Sequence, residues 1–222
     1  AATQQGIPVV NAPTGNTIAA AEHTLGLILA LARHIPQAHK SMTSGEWRRR
    51  EFQGIELRDK TLGVVGLGKV GSEVARRAQA FRMKILAYDP YVPKDTARQL
   101  DIELADFETL VSRSDFITLH TPLTAGSKQL IGAEQLARMK PGVRIINAAR
   151  GGLIDEQLLD EALRSGAVGG AALDVFSSEP PPKDLSLLSN PKVIVTPHLG
   201  ASTAEAQVNV AVELADQIVA VL

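Results

Sequence analysis

From Thr61 onward, short apolar runs alternate with longer stretches in which apolar residues recur at helical spacing. The runs Leu62 to Val65, Lys84 to Tyr88, Phe116 to Leu119, Arg144 to Asn147, Ala171 to Val175 and Val193 to Thr196 read as strands. Between them the pattern predicts helices over Lys69 to Phe81, near Asp95 to Leu100, near Phe107 to Ser112, over Ala133 to Met139 and over Asp155 to Arg164. Strands that are apolar on both faces and separated by helices imply a parallel sheet covered on both sides. The expected class is therefore α/β, a doubly wound parallel sheet.

Upstream of Thr61 the pattern differs. Ile7-Pro8-Val9-Val10 reads as one short strand, and the turn-rich residues Asn11 to Asn16 lead into an apolar helix from Ile18 to about Arg33, capped by Asn16 or Thr17. Pro36 can open a second helix that ends near Gly45. Glu46 to Lys60 carries both charge signs without a period and reads as a surface arm. The closing stretch, Ala204 to Leu222, puts Val208, Val212, Ala215, Val219 and Leu222 on roughly one helical face. The most apolar run, Leu25 to Ala32, is far shorter than the ~20 residues that cross a bilayer and reads as a core helix.

A chain of 222 residues with 45% apolar and 21% charged positions can bury a substantial core. It is read as a single domain over residues 1–222. Lysine and arginine (23) balance aspartate and glutamate (24), so there is no basic footprint for nucleic acid and no membrane partner is read. The absence of cysteine excludes disulfides, thiolate metal sites and a cysteine nucleophile, and fits a cytoplasmic location. His23, His34, His39 and His120 show no metal-ligand spacing with carboxylates, so no metal is expected. Ala1-Ala2-Thr3 begins neither a basic nor an apolar leader, and the numbering is expected to start inside a longer polypeptide.

Candidate chemistry begins at Gly66-Leu67-Gly68-Lys69-Val70-Gly71, a G-x-G-x-x-G placed directly after a strand and opening a helix. Gly66 allows the tight turn, Gly68 lets the backbone approach a pyrophosphate, and Gly71 lets helix and strand pack closely. The N–H groups at the helix start attract the phosphates. Asp89 ends the next strand and can accept hydrogen bonds from the adenosine ribose hydroxyls, while its charge opposes a 2′-phosphate, so NAD is preferred to NADP. A triphosphatase phosphate loop also fits Gly63 to Lys69 but needs a hydroxyl where Val70 stands.

Three polar residues follow successive strands at one edge of the sheet: Arg150, Glu179 and His198. Singly, each has an ordinary reading as a solvated or structural group. Together they offer a fork for a carboxylate and a proton acceptor backed by a carboxylate, which oxidation of an alcohol requires.

With Asn147-Ala148-Ala149-Arg150-Gly151-Gly152, Ala172-Leu173-Asp174-Val175-Phe176 before Glu179-Pro180, and Pro197-His198-Leu199-Gly200-Ala201, the glycine loop completes four ordered motifs. Together they resemble the NAD-dependent D-2-hydroxyacid dehydrogenases. Asn11-Ala12-Pro13, Gly15-Asn16 and the run His198 to Gln207 resemble those members that take a phosphorylated 2-hydroxy acid. The resemblance implies a Rossmann-type NAD-binding domain over residues 1–222 whose substrate-domain lid is largely absent, with 1–16 and 204–222 as edge segments that would join a substrate domain in a longer chain. It makes His198 the proton acceptor, Glu179 its orienting partner and Arg150 the carboxylate anchor. It also places Lys69, Val70, Asp89, Thr121, Ala148, Ala149, Arg150, Asp174, His198, Gly200 and Ala201 beside the dinucleotide, with Asn16 on the substrate side. A chain without the lid is expected to bind NAD and turn over poorly. The apolar helix and the arm after it are expected at a homodimer contact, where Arg48-Arg49-Arg50 reach toward the partner's site. Two alternatives stay open: a related dehydrogenase or reductase acting on glyoxylate or lactate, and a corepressor-like module that senses NAD(H).

Overall fold

The computed structural model describes residues 2–7, 9–12 and 14–221. Helices α1 (Thr17–Arg33) and α2 (Ile35–Thr43) precede the sheet. The chain then runs through β1 (Thr61–Val65), α3 (Lys69–Ala80), β2 (Lys84–Tyr88), α4 (Lys94–Gln99), β3 (Glu103–Leu104), α5 (Phe107–Arg113), β4 (Phe116–Leu119) and α6 (Ala133–Arg138). It closes with β5 (Val143–Asn147), α7 (Glu156–Ser165), β6 (Val168–Leu173), β7 (Val193–Val195) and α8 (Ala204–Val221). Among the described residues the strands form one seven-stranded sheet, every pair parallel, in the order β3-β2-β1-β4-β5-β6-β7. Winding reverses between β1 and β4. The carboxyl ends of these two strands therefore diverge, leaving a crevice where open α/β sheets take ligands.

Strand period explains the two cores. Successive residues point to opposite faces, so Ile146 and Ala172 join Leu62, Val64, Val74 and Ala78 beneath α1 and α3, whereas Ile145, Ala171 and Leu173 pack with Leu110, Leu136, Leu159 and Leu163 beneath α5, α6 and α7. Each fully buried leucine or isoleucine contributes about 1.5–3 kcal/mol. Helix α1 buries Ala21, Thr24, Leu25, Ile28, Leu31 and Ala32 against the first core. It ends where His34 turns left-handed at φ 54°, and α2 starts at once with Pro36 in its first turn. Asp106 and Asp155 cap α5 and α7 by accepting from Thr109 and Leu158 N–H.

Several expectations need correction. Ile7, Val9 and Val10 form no strand, since no neighbouring strand pairs with them, and Ile7 and Val9 are exposed; Pro8, Pro13 and Leu222 lie outside the described residues. The segment instead follows α8, where Glu213 accepts from Thr14 and Gly15 N–H and Gln217 donates to Asn11 O. On α8, Val208, Val212 and Val219 of the apolar face read from the sequence are exposed. Strand β3 escapes a pattern search because two residues, Glu103 and Leu104, carry no period. Strand β6 begins three residues early, at Val168, through Gly169-Gly170, whose missing side chains hide the strand while admitting the Gly142 carbonyl at Gly169 and the Leu31 side chain at Gly170. The surface arm is shorter than expected. Leu57 is buried and Ile55 N–H donates to Ala32 O, so the arm is anchored from Ile55 on, although Glu56, Arg58 and Asp59 stay exposed.

Candidate active site

The glycine loop is built by close approach. Gly66 adopts φ +93°, and a Cβ there would lie 2.6 Å from the His120 carbonyl oxygen, so both conformation and space demand glycine. A Cβ on Gly71 would sit 2.0 Å from the Gly66 carbonyl oxygen, which shows how tightly α3 seats on the loop. Gly68, the residue before α3, faces open space: a Cβ there meets nothing within 4 Å. That space adjoins the unbonded N–H groups at the start of α3, a cradle that a methyl would fill and a pyrophosphate would suit. Asp89 braces the loop, its Oδ2 accepting from Leu67 N–H at 2.8 Å and its Oδ1 from Tyr91 N–H at 2.8 Å. It follows directly on the last residue of β2.

Beside the loop, a cleft of about 240 Å³ is lined by Asn16, Val70, Thr121, Ala148, Ala149, Arg150, His198, Gly200 and Ala201, together with Ala20, His120 and Pro122. Nine residues chosen from sequence thus converge on one cavity. Asn16 stands at the N-terminus of α1, yet its side chain makes no capping hydrogen bond and lines the cleft instead. Arg150 is exposed at the mouth, with Nη1 donating to Ala149 O at 2.6 Å. Its turn is held by buried Asn147, which donates to Arg150 O and accepts from Ala149 N–H.

His198 adopts φ 56° and donates its backbone N–H to Asp174 O. Its Nδ1 lies 2.6 Å from Glu179 Oε2, and Glu179 Oε1 accepts from Phe176 N–H. The His198 hydrogen bond, helped by that from Phe176 and opposed by slight burial, holds the Glu179 carboxyl below the usual range. Because a carboxylate only accepts, Nδ1 carries the hydrogen and Nε2 is left as the proton-accepting atom. Glu179 does not line the cleft with His198. It sits behind the ring, on a separate apolar cavity of about 400 Å³ with Phe176, Pro180, Leu188 and Val195.

Asp174 lies beneath the cleft, wholly buried. Burial pushes its carboxyl up, but hydrogen bonds from His23, Thr196 and the Leu199 and Gly200 amides outweigh this and hold it below the usual range. His23 and His120 were weighed in the sequence only as metal ligands and Thr196 not at all, although Asn16, Ala20 and His23 recur at helical spacing from the cap of α1 onward. The ring of His120 meets Thr118 Oγ1 at 3.0 Å, and burial pushes it down to about 4. Among the described residues no cluster of side chains could hold a metal ion, and no single helix is long and apolar enough to cross a membrane.

The model of the D-isomer specific 2-hydroxyacid dehydrogenase NAD-binding domain matches residues 25–200. The chain belongs to that family. It is 58% identical over 219 residues to a D-3-phosphoglycerate dehydrogenase from Synechocystis, covering 98% of this chain and 39% of that protein. A D-3-phosphoglycerate dehydrogenase from Archaeoglobus fulgidus is 55% identical, covering 99% and 42%. The chain thus spans about two fifths of these relatives' length. Among solved structures, a D-lactate dehydrogenase from Aquifex aeolicus complexed with NAD and lactic acid superposes with a TM-score of 0.89 at 31% identity, covering 99% of this chain and 70% of that one.

Proposed function

We propose that this chain is the NAD-binding catalytic domain of a D-3-phosphoglycerate dehydrogenase, which oxidises 3-phospho-D-glycerate to 3-phosphooxypyruvate and opens serine biosynthesis. The observation that carries the reading is the convergence of Arg150 and the Glu179-backed His198 on the cleft beside the glycine loop. The high identity to relatives of that name supports the substrate.

In this reading the substrate carboxylate pairs with the Arg150 guanidinium, whose planar fork matches it. His198 Nε2 accepts the proton of the 2-hydroxyl as the C–O bond gains double-bond character, and Glu179 stabilises the imidazolium that results. NAD, when bound, supplies the acceptor for the hydride leaving C2. Asn16 is assigned to the substrate, and Asp174, which holds the Gly200 amide of the cleft lining, to the carboxamide end of the dinucleotide. Residues 1–222 act as one domain, and the exposed apolar residues Ile7, Val9, Val208, Val212 and Val219 supply a surface on which a substrate domain would close. A homodimer contact through α1, α2 and the arm is supported by exposed Ile18, Ile35, Met42 and Trp47. Arg48 already pairs with Glu46 and Glu51, so Arg49 and Arg50 are the better candidates to reach a partner's phosphate-bearing substrate. A cytoplasmic location belongs to the same reading.

The test is titration with NADH followed by nicotinamide fluorescence, repeated with NADPH and with Asp89→Asn. The expected result is saturable NADH binding, with NADPH at least about tenfold weaker because Asp89 repels its 2′-phosphate, and with that gap narrowed in Asp89→Asn. Equal affinity for both dinucleotides would refute the assignment of Asp89. Oxidation of 3-phospho-D-glycerate in preference to D-lactate or glycolate, lost in His198→Asn, is the corresponding test of substrate.

A further inference from the structure

The Asp174 carboxylate is an unusual hub. Its Oδ1 accepts from Thr196 Oγ1 at 2.5 Å and from Leu199 N–H at 2.8 Å, and its Oδ2 accepts from Gly200 N–H at 2.8 Å. Its backbone carbonyl takes the His198 N–H at 2.9 Å. All these donors belong to the 196–200 segment, which carries His198 in a left-handed conformation that a non-glycine residue adopts only when its surroundings enforce it. One further partner comes from elsewhere in the chain. His23, on α1, places Nε2 3.1 Å from Asp174 Oδ1 and 3.3 Å from Thr196 Oγ1. The ring is about one-fifth exposed against a carboxylate with no exposure. Thr196 has one hydroxyl hydrogen, and the short contact assigns it to Asp174, so the atom facing the carboxylate from α1 must itself donate.

We infer that His23 is a positioning residue for the catalytic turn: its Nε2–H pins the Asp174 carboxylate, which in turn holds the Leu199 and Gly200 amides and thereby the backbone that presents His198. Asn16, Ala20 and His23 recur along one face of α1, so the helix that lines the cleft also clamps its floor. The inference rests on the proposed role of His198, but the clamp itself exists or fails independently of any reaction.

Two measurements on this chain test it. In the unmodified protein, long-range ¹H–¹⁵N correlation of the His23 ring at pH 7.5 is expected to show Nε2 protonated; a bare Nε2 overturns the proposal. The second compares His23→Gln, whose amide can reach the same point with an N–H, with His23→Leu, which cannot donate. Amide exchange at Leu199 and Gly200 and the dissociation constant for NADH are expected to rise about tenfold in His23→Leu, the size of one hydrogen bond to a charged group, and to stay within about threefold in His23→Gln. Leu and Gln behaving alike, or faster exchange spread evenly through α1 and β6, would mean that His23 only fills space. Should His23→Leu fail to fold, the ring tautomer decides. A protein that passes the tautomer and exchange tests yet ignores NADH would leave the clamp standing and sink the dehydrogenase reading instead.

Discussion

Two alanine substitutions three residues apart in the glycine loop separate packing from binding. In Gly71→Ala the new Cβ would lie 2.0 Å from the Gly66 carbonyl oxygen and 3.3 Å from Val64 Cγ1. An unstrained carbon-to-oxygen approach is about 3.3 Å, so the first turn of α3 or the loop beneath it must move by more than about 1 Å. Overpacking of this kind costs about 1–3 kcal/mol, and the better helix propensity of alanine returns up to about 1 kcal/mol. A net loss of about 1–2 kcal/mol lowers Tm by roughly 2–8 °C in a chain of this size. In Gly68→Ala the backbone is at φ −74°, which alanine accepts, and the Cβ meets no atom within 4 Å. Stability should stay within about 1 kcal/mol of wild type, because only the cap position is altered. The methyl does, however, occupy the space before the α3 N–H groups, so NADH affinity should fall at least about tenfold. Thermal unfolding of the ligand-free protein by circular dichroism and NADH titration by fluorescence read the two effects separately. Gly71→Ala melting with wild type, or Gly68→Ala binding NADH undiminished, would refute the reasoning.

Three further outcomes follow from the electrostatics. His120 binds its proton near pH 4 in the folded state, against about 6.5 when unfolded, so the unfolded chain takes up the proton first and stability falls as pH drops through that window, by on the order of 3 kcal/mol. Urea unfolding of His120→Gln at stepped pH should lack this slope; an unchanged slope assigns it elsewhere. Asp174 has a depressed folded pKa, so its contribution is full above the ordinary aspartate value of about 4 and is lost as pH falls below it. Asp174→Asn should therefore be less stable at neutral pH and show a flatter acid limb below about pH 4, and a limb as steep as wild type would contradict the assignment. Glu179→Gln should bind NADH within about threefold of wild type while kcat for 3-phospho-D-glycerate falls at least about a hundredfold, since the imidazolium formed in the reaction loses its carboxylate; undiminished turnover would remove Glu179 from the chemistry.

Most of the strand and helix order was legible because period is a local property. Apolar runs such as Phe116 to Leu119 and helical spacing as in α7 need only a few turns of chain to declare themselves. The glycine loop was legible for a related reason: Gly66 and Gly71 answer backbone demands that no other residue meets, so residue type and spacing identify the turn. The misses share the opposite character. Ile7, Val9 and Val10 resemble part of a strand but have no strand to pair with, and β3 has almost no sequence of its own, existing because β2 offers it an edge.

The site divides in the same way. Arg150, Glu179 and His198 each followed a predicted strand, and parallel topology alone brings the ends of such strands to one edge. That Glu179 bonds the His198 ring from outside the cleft, that Asp89 ties the glycine loop, and that His23 reaches Asp174 across 151 positions of chain are facts of packing. By itself the sequence determined the class of sheet, the place of the dinucleotide loop and the residue types able to move a proton. Tertiary structure alone decided which buried carboxylate holds which donor. Hydrogen bonds act over about 3 Å, and only the folded arrangement brings α1, β6 and the 196–200 segment within that range.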